Sequence, residues 1–447
     1  MPKKFRFTGF SLRDLLITIG PMAVLIALLC YAAYRIVDPF PPSQVTLSTG
    51  QENSSYAAFG KRYAQLLGKY GIETRLVPSQ GSLENLERLN DPDSGVDIAF
   101  VQSGSIEQEK AEEAGLVSIG SLFTEPLWLF YRGDRQLGRL TQLRGMRVNV
   151  GVEGSGVPKL FRALLAANGL HADEVTLGLL DDKQAFAALQ KGSIDAAVFS
   201  SAPNNALIQK LLRTSGIRLF DFAQAEAYTR RLPYLTQVTL PRGIVDLGHD
   251  LPPRNVHLIA PTATLVARED LHPALIDLFA QAAVLIHGRS GWFRRQGEFP
   301  NASYNEIPVV PQAAKLYREG PPFLQRYLPF RVANFFERMW IVIVALGALL
   351  LPLSRVVPPL YVWKVRSRIY RWYGQLRTVE QAIEEVPSDR RAEVYPAQLR
   401  RLAEIEEKVN QLSIPLSFAD ELYRLRSHID FVRLRIMRLS DTRQLSS

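Results

Sequence analysis

Residues 45–60 read VTLSTGQENSSYAAFG, and this stretch decides the fold. Val45–Ser48 is a short run of β-branched and apolar residues, which predicts a buried strand. A turn rich in Gly, Asn and Ser follows it, and a helix is predicted from about Tyr56 to Tyr70. The stretch therefore predicts one unit of strand, small-residue turn and helix.

The same unit recurs along the chain. Further strands are predicted at Glu73–Val77, Val96–Gln102, Arg147–Val152 and Asp195–Phe199. Helices are predicted to begin at Ser82 as N-cap, at Pro158, at Gln184 and after 201–204. This alternation predicts an α/β domain with mainly parallel sheets. Because roughly 290 residues exceed one usual core, two lobes are expected.

Two apolar runs bracket that domain, Leu15–Tyr34 and Met339–Leu353. The first is long enough to cross a hydrocarbon core of ~30 Å, and a cleaved signal peptide is its alternative. The second is short, so a surface or re-entrant helix is its alternative. Basic residues flank both runs on the sides away from the domain, which predicts that both termini are cytoplasmic. The basic residues are Lys3, Lys4, Arg6, Arg13, Arg355, Lys364, Arg366, Arg368 and Arg371.

These signals predict six segments in a membrane protein. They are a cytoplasmic N-terminus (1–14), a first transmembrane helix (15–34), a linker (35–42), an extracytoplasmic α/β domain (43–331), a second transmembrane helix (335–358) and a cytoplasmic tail (359–447). Within the domain, lobe 1 is expected at about 43–130 and 241–331, and lobe 2 at about 131–240.

The net charge of +9 belongs mostly to the flanks of the domain. Residues 1–42 hold five basic and two acidic side chains, and 355–447 hold seventeen and twelve. Anionic lipid accounts for basic flanks, and the domain lacks the basic stripe that nucleic-acid binding needs. The single cysteine, Cys30, lies in the first apolar run, so the domain has no disulfide. The six His residues show no ligand spacing, so neither a metal nor a cofactor is expected.

Six motifs in order resemble the TAXI-type solute-binding proteins of TRAP transporters. They read STGQENSSYAAFG, SQGSLENLERL, VDIAFVQSG, FTEPLWLFYR, LRGMRVNVGVEGSG and GSIDAAVF. The resemblance implies a two-lobed type II periplasmic binding protein domain, with chain crossings near Trp128–Arg132 and Leu235–Leu240. It also implies that residues 43–331 are a solute-binding domain with a small-molecule solute in the cleft between the lobes. A location in the inner membrane of a bacterium and partner permease subunits of a TRAP-type transporter are implied as well.

The candidate ligand-binding residues lie in the turns that follow strands and open helices. Helix N-termini offer free N–H groups and favour anions, small residues allow close approach, and hydroxyl and amide side chains add partners. The candidates are Ser48, Thr49, Gly50, Ser54, Ser55, Tyr56, Gln80, Gly81, Ser82, Asn85, Gln102, Ser103, Glu125, Ser155 and Gly156. The alternative is that these residues are only caps and tight turns.

The chain also departs from the family pattern. Asn53-Ser54-Ser55 stands where members often have Gly-Gly-Thr, and Gln80 stands where they have a small residue. Gly104 replaces an acid and Val157 replaces a hydroxyl, so the ligand class is not carried over. Glu125 matches the family, and it could bind a ligand ammonium or form a structural ion pair.

The tail carries heptad-like apolar stripes on three predicted helices, broken around Pro387–Pro396 and at Pro415. The stripes comprise Val365, Ile369, Trp372, Leu376, Val379 and Ile383, then Leu402, Ile405, Val409 and Leu412, then Leu422, Leu425, Ile429, Val432, Ile436 and Leu439. They predict a coiled-coil-like tail that packs on itself or self-associates, or alternatively a docking or signalling module. Two functions follow, a solute-binding transport receptor and a ligand sensor. An enzyme is not expected, because no catalytic set or nucleotide loop is found.

Overall fold

The computed structural model describes residues 12–171, 173–303, 306–387, 390–412 and 414–441. The chain divides into two compact units, Pro39–Glu337 and a second unit of Met1–Asp38 with Arg338–Ser447. The predicted cytoplasmic residues Lys3, Lys4 and Arg6 lie outside the described residues.

The strands and helices follow in chain order. The strands are β1 (Gln44–Ser48), β2 (Glu73–Val77), β3 (Ile98–Gln102), β4 (Leu116–Thr124), β5 (Leu127–Arg132), β6 (Arg147–Asn149), β7 (Thr176–Gly178), β8 (Ala196–Ser200), β9 (Ile217–Leu219), β10 (Leu235–Leu240) and β11 (Val256–Arg268). The helices are α1 (Leu12–Val37), α2 (Ser55–Gly68), α3 (Ser82–Asn90), α4 (Gln108–Glu113), α5 (Gly156–Ala167), α6 (Asp182–Lys191), α7 (Ala206–Leu212), α8 (Ala225–Arg231), α9 (Pro273–His287), α10 (Pro311–Glu319), α11 (Phe330–Glu384), α12 (Arg391–Asn410) and α13 (Ala419–Asp441).

The unit Pro39–Glu337 is a mixed α/β fold built on two sheets. The larger sheet has the order β10-β11-β3-β1-β2, with β4 also paired to β11, and the smaller has the order β7-β6-β8-β5-β9. The predicted mainly parallel arrangement is wrong. β1 pairs in parallel with β2 and β3, but β11 is antiparallel to β10, β3 and β4, and β5 is antiparallel to β8 and β9. Within the described residues, no helix lies between β4 and β5 or between β10 and β11. Because β5 and β11 do not follow a crossover helix, they are not constrained to pair in parallel.

Each sheet has its own hydrophobic core. Leu47, Phe100 and Phe279 are buried on the larger sheet, and Trp128 and Phe161 on the smaller one. The long strand β11 belongs to both cores, because Leu258 is buried in the second and Leu265 in the first. The two lobes therefore share one strand.

The first passage between the sheets lies earlier than expected. β4 ends at Thr124 in the larger sheet, and Leu127 already pairs with Ser200 in the smaller one. Only Glu125 and Pro126 lie between them, and Pro126 has no N–H to continue a ladder. The expected crossing at Trp128–Arg132 is instead the body of β5.

The other unit contains helices that are long and apolar enough to cross a membrane, one spanning Ile19–Val37 and one within α11. Most residues of its tail stripes are buried in a single core cluster formed by α11, α12 and α13. Trp372 and Leu412 are partly buried against this cluster, and Leu439 is exposed, contrary to the prediction. The predicted break around Pro387–Pro396 is shorter in the structure, because α12 begins at Arg391 and includes Pro396. Pro396 lacks the N–H for one helical hydrogen bond, and the neighbouring Tyr395 is buried in the same core cluster. The packing is helical, but a coiled coil is not shown.

Candidate functional site

A cavity of about 90 Å³ lies between the two lobes of the unit Pro39–Glu337. Eleven of the fifteen sequence candidates line it, namely Gly50, Ser54, Ser55, Tyr56, Gln80, Gly81, Ser82, Gln102, Glu125, Ser155 and Gly156. We call it the interlobe cavity. Its other lining residues are Gln51, Gly151, Val152, Val157, Asp182, Val198, Phe199 and Ser200.

Three helix N-termini point their first turns at this cavity. At α2, Ser54 is the N-cap, and its Oγ accepts a hydrogen bond of 3.2 Å from the N–H of Ala57. At α5, Ser155 is the N-cap, but its Oγ donates to the carbonyl of Val152 at 2.8 Å and does not cap the helix. The first-turn N–H groups of α5 are therefore not satisfied by a capping side chain.

The third terminus, that of α3, differs from the sequence prediction. The N-cap is Gly81, and Ser82 is the first helical residue. The Oγ of Ser82 instead accepts a hydrogen bond of 2.9 Å from the N–H of Gln102. Gly81 has φ 141°, a region open essentially to glycine alone, and a Cβ there would lie 3.1 Å from the Cα of Ser155. Backbone conformation and the close approach of the opposite lobe both require glycine.

The two lobes touch directly around the cavity. Ser55 Oγ lies 3.0 Å from Ser201 Oγ, and Gln102 Nε2 donates to Ser200 Oγ at 3.2 Å. In addition, the N–H groups of Leu83 and Glu84 both donate to the carbonyl of Gly154. These first-turn donors of α3, which could have met a ligand anion, are already satisfied by the other lobe.

Glu125 is the most perturbed carboxyl group of the site. Its side chain is buried, and Tyr56 Oη donates to Glu125 Oε2 at 2.9 Å. Burial raises the pKa of Glu125 to about 8, and the Tyr56 hydrogen bond lowers it by less. The group is therefore largely protonated and uncharged at neutral pH. Its hydrogen-bond partner in the structure is a tyrosine, so the expected structural ion pair is not found among the described residues.

Four candidates lie away from the cavity because their polar groups bond to the surrounding fold. Ser48 Oγ donates to Asn85 Oδ1 at 2.6 Å, and Asn85 Nδ2 donates to the carbonyls of Thr49 and Phe100. Ser103 Oγ donates to the carbonyl of Tyr234 and accepts from the N–H of Thr262. Ser48, Thr49, Asn85 and Ser103 thus join strand ends, as buried polar groups must find partners.

Some polar groups in or near the interlobe cavity were not among the sequence candidates, because only the tertiary fold brings them there. Asp182, at the start of α6, lines the cavity, and burial raises its pKa, with a further increase from the charge of Asp181. Ser200 comes from the end of β8. Gly104 stands where the TAXI-type resemblance implies an acid, and the backbone N–H of Gly104 donates a hydrogen bond to the carboxylate of Glu306. A Cβ at Gly104 would lie 2.7 Å from the ring of Tyr234, so no side chain fits there.

The interlobe cavity has acidic but no basic side chains in its lining. Glu125 and Asp182 line it, and its lining residues include no Lys, Arg or His. Hydroxyl and amide groups supply the remaining polar atoms, from Ser54, Ser55, Gln102 and their neighbours. The arrangement can form hydrogen bonds to a small polar molecule from both lobes at once.

Residues 47–282 match the NMT1-like family, which is more than half of the 447 residues. This chain belongs to the NMT1-like family. The matched range of the NMT1-like protein contains every residue that lines the interlobe cavity. The TAXI-type and TRAP-type assignments stay predictions.

Three solved structures illustrate what the NMT1-like protein is similar to. The aliphatic sulphonate binding protein SsuA from Escherichia coli shares 17% identity over 67% of this chain and 79% of that chain, with a TM-score of 0.36. PhnD1 from Prochlorococcus marinus, solved with methylphosphonate, shares 13% over 56% and 85%, with a TM-score of 0.37. An ancestral arginine-binding protein bound to arginine shares 13% over 55% and 93%, with a TM-score of 0.36.

Proposed function

We propose that this chain is a membrane-anchored, extracytoplasmic solute-binding receptor subunit of a TRAP-type transporter. Its solute would be a small organic anion or an amino acid, held in the interlobe cavity. The observation that carries the proposal is the convergence of eleven turn and strand-end candidates on one cavity between two lobes. Membership of the NMT1-like family and the six TAXI-like motifs support it.

The size and polarity of the cavity favour a small, hydrogen-bonding solute. A volume of about 90 Å³ holds only a few non-hydrogen atoms, so a larger solute requires the lobes to sit further apart. Protonated Glu125 can donate a hydrogen bond to a ligand carboxylate, and the uncapped first turn of α5 offers N–H groups to it. Asp182 can accept a hydrogen bond from an ammonium group on the same ligand.

Membrane anchoring supports a receptor role on the outer face. Ile19–Val37 and the apolar part of α11 have the length and composition of membrane-spanning helices. The basic residues beyond each run favour cytoplasmic termini, which leaves the solute-binding unit outside. There it would release its solute to permease subunits by reversible lobe closure, with contacts to the solute favouring the closed arrangement. No chemical step is proposed.

A thermal-shift screen of the detergent-purified full chain tests this function. The screen covers organic acids and amino acids, and a solute selective for the folded state raises the melting temperature. Calorimetry on each hit should then give one saturable site with no chemical turnover. A hit that is consumed on incubation would overturn the receptor proposal in favour of an enzyme.

The helical tail favours a second candidate, a ligand sensor that signals through α11–α13. The observation behind it is that these helices share a core of their own, with Val379, Leu402 and Leu425 fully buried. α11 also begins at Phe330, whose ring is buried in the core of the solute-binding unit. Affinity purification of the tagged full chain separates the candidates, since co-purification of permease subunits supports transport and a tail-dependent cytoplasmic partner supports sensing.

A further inference from the structure

A second cavity, of about 450 Å³, lies in the same unit and shares no lining residue with the interlobe cavity. Phe59 and Arg62 of α2 line it, together with Phe123 near the end of β4. The loop that follows α9 contributes Trp292, Phe293 and Arg294. We call it the aromatic–arginine cavity. Its volume is in the range of ordinary small-molecule sites, which runs from roughly 300 to 1,000 Å³.

The loop that carries Trp292, Phe293 and Arg294 is held in place by hydrogen bonds and by ring packing. Gly291 and Arg294 exchange backbone hydrogen bonds of 3.0 and 3.4 Å. Arg294 Nε donates to the carbonyl of Arg289 at 2.9 Å, and the ring of Phe293 packs 5.9 Å from that of the buried Trp128. The aromatic walls are therefore fixed by the fold, as a preformed site requires.

The two arginines of this cavity are not matched by an acidic side chain in its lining. Within the described ranges of the chain, neither Arg62 nor Arg294 forms an ion pair, and no Asp or Glu lines the cavity. Burial lowers the pKa of Arg294, the positive charge of Arg62 lowers it further, and Glu298 opposes this only in part. Two guanidinium groups that repel each other beside apolar walls are a favourable place for an anion.

A buried histidine behind the same walls adds an independent observation. His287 is fully buried, and its ring packs against those of Phe59 and Phe123, with centroids 4.6 and 5.3 Å away. Neither of its ring nitrogens has a hydrogen-bond partner among the described residues. Burial lowers its pKa, and the charges of Arg294 and Arg62 lower it further. The histidine therefore stays neutral, and the positive charge beside these rings comes from the two arginines.

We propose that the aromatic–arginine cavity is a second ligand site, for a small carboxylate or sulfonate that carries an aromatic body. The rings of Phe59, Trp292 and Phe293 would cover the body, and Arg62 and Arg294 would bind the anionic head. Asn204 and Gln209 of the other lobe also line the cavity and can bond to polar substituents. This site does not depend on which solute the interlobe cavity takes.

Calorimetry of the full chain in detergent, with 3-phenylpropionate as the probe, tests the proposal. A detergent-only titration corrects for uptake of the probe by micelles. We expect saturable binding of 3-phenylpropionate, with its uncharged amide at least about tenfold weaker, because the amide loses the charge-assisted hydrogen bonds. Arg62→Gln and Arg294→Gln should each weaken binding of the acid about tenfold or more.

Arg289→Gln is the matched control, because it removes an exposed positive charge from the same loop outside the cavity lining. It should change the affinity less than about twofold. Arg62 is exposed, so Arg62→Gln keeps the test valid if Arg294→Gln fails to fold.

Three results would overturn the proposal. They are no saturable binding of the acid, equal binding of the amide, and an equal loss in Arg289→Gln. Loss of binding in Ser155→Ala with full binding in Arg62→Gln would also overturn it, since the probe would then occupy the interlobe cavity.

Discussion

The two cavities of the unit Pro39–Glu337 are built from opposite chemistry. The interlobe cavity is small and lined by hydroxyl, amide and carboxyl groups, many of which already bond to each other across the lobes. The aromatic–arginine cavity is five times larger by volume and combines ring surfaces with two unpaired guanidinium groups. In the first cavity, many polar groups already have partners that a solute must displace. In the second, Arg62 and Arg294 form no ion pair among the described residues, and no acidic side chain lines the cavity. The residues of the interlobe cavity lie mostly in turns, and sequence motifs can therefore indicate this cavity.

The largest expected effect comes from Gly81→Val. The substitution places a side chain at φ 141° and within 3.1 Å of the Ser155 backbone, so it strains the turn and holds the lobes apart. We expect the affinity for the interlobe solute to fall about a hundredfold, measured by calorimetry. Gly133→Val is the matched control, because Gly133 also has a positive φ, 128°, but a Cβ there meets nothing within 4 Å. An equal loss in both variants would show that backbone strain, and not lobe contact, is responsible.

The pH dependence of stability is expected to be large at Glu125. Between about pH 4.5 and pH 8, the unfolded chain ionises this carboxyl while the folded protein keeps it protonated. The stabilising contribution is therefore complete below about pH 4.5 and is lost as pH rises through about 8, because the folded state binds more protons. Glu125→Gln should remove this pH dependence, which amounts to a change on the order of a few kcal/mol in the free energy of unfolding.

Tyr56→Phe sharpens the same test. It deletes the hydrogen bond that lowers the pKa of Glu125, so the loss of stability should extend to higher pH. Denaturant unfolding from pH 4 to pH 9 gives both profiles. A profile of Glu125→Gln that is parallel to the wild type would show that the carboxyl is not buried as described.

A smaller effect is expected for single hydrogen bonds in the interlobe cavity. Ser155→Ala and Gln102→Ala should each lower the solute affinity roughly threefold to tenfold, the value of one neutral hydrogen bond of ~0.5–1.5 kcal/mol. Ser193→Ala is the control, because Ser193 is exposed and its Oγ makes a comparable backbone bond, to Ala188 at 3.1 Å. Full affinity in both cavity variants would place the solute elsewhere, and the aromatic–arginine cavity would be tested next.

The smallest effect on either cavity is expected from the tail. Replacing Leu425 and Ile429 with Asp buries two unpaired charges in the core of α11–α13 and should unfold that packing, seen as a loss of helical circular dichroism. Tyr423→Asp, at an exposed position of α13, should retain it. Affinities for the interlobe solute and for 3-phenylpropionate should change less than about twofold. A tenfold change would show that the two units are coupled, as the sensor alternative requires.

Local signals explain what the sequence analysis predicted correctly. The strand at Glu73–Val77 and the tail stripes depend on periodicity within a few turns of chain, and the structure places them as expected. The predicted N-cap at Ser82 is wrong because Gly81 adopts a conformation that no propensity rule assigns. The antiparallel pairing of β11 with β3 and β4 depends on partners more than a hundred residues away, such as Gln102 opposite Ala263.

The two cavities could also be predicted only in part from the sequence. Asp182 and Ser200 reach the interlobe cavity from segments that carry no anion-binding motif. The aromatic–arginine cavity combines residues from Phe59 to Arg294, and no pattern in the sequence links them. Side chains that converge only through the tertiary fold have no sequence spacing to detect.

The sharing of β11 between the two cores has a consequence for how the unit unfolds. Its first half packs with the smaller sheet through Leu258 and its second half with the larger sheet through Leu265. Neither lobe can lose its core without releasing the middle of this strand, so the lobes form one cooperative unit and not two. In amide hydrogen exchange, β11 should therefore exchange only through global opening, at one rate along most of its length.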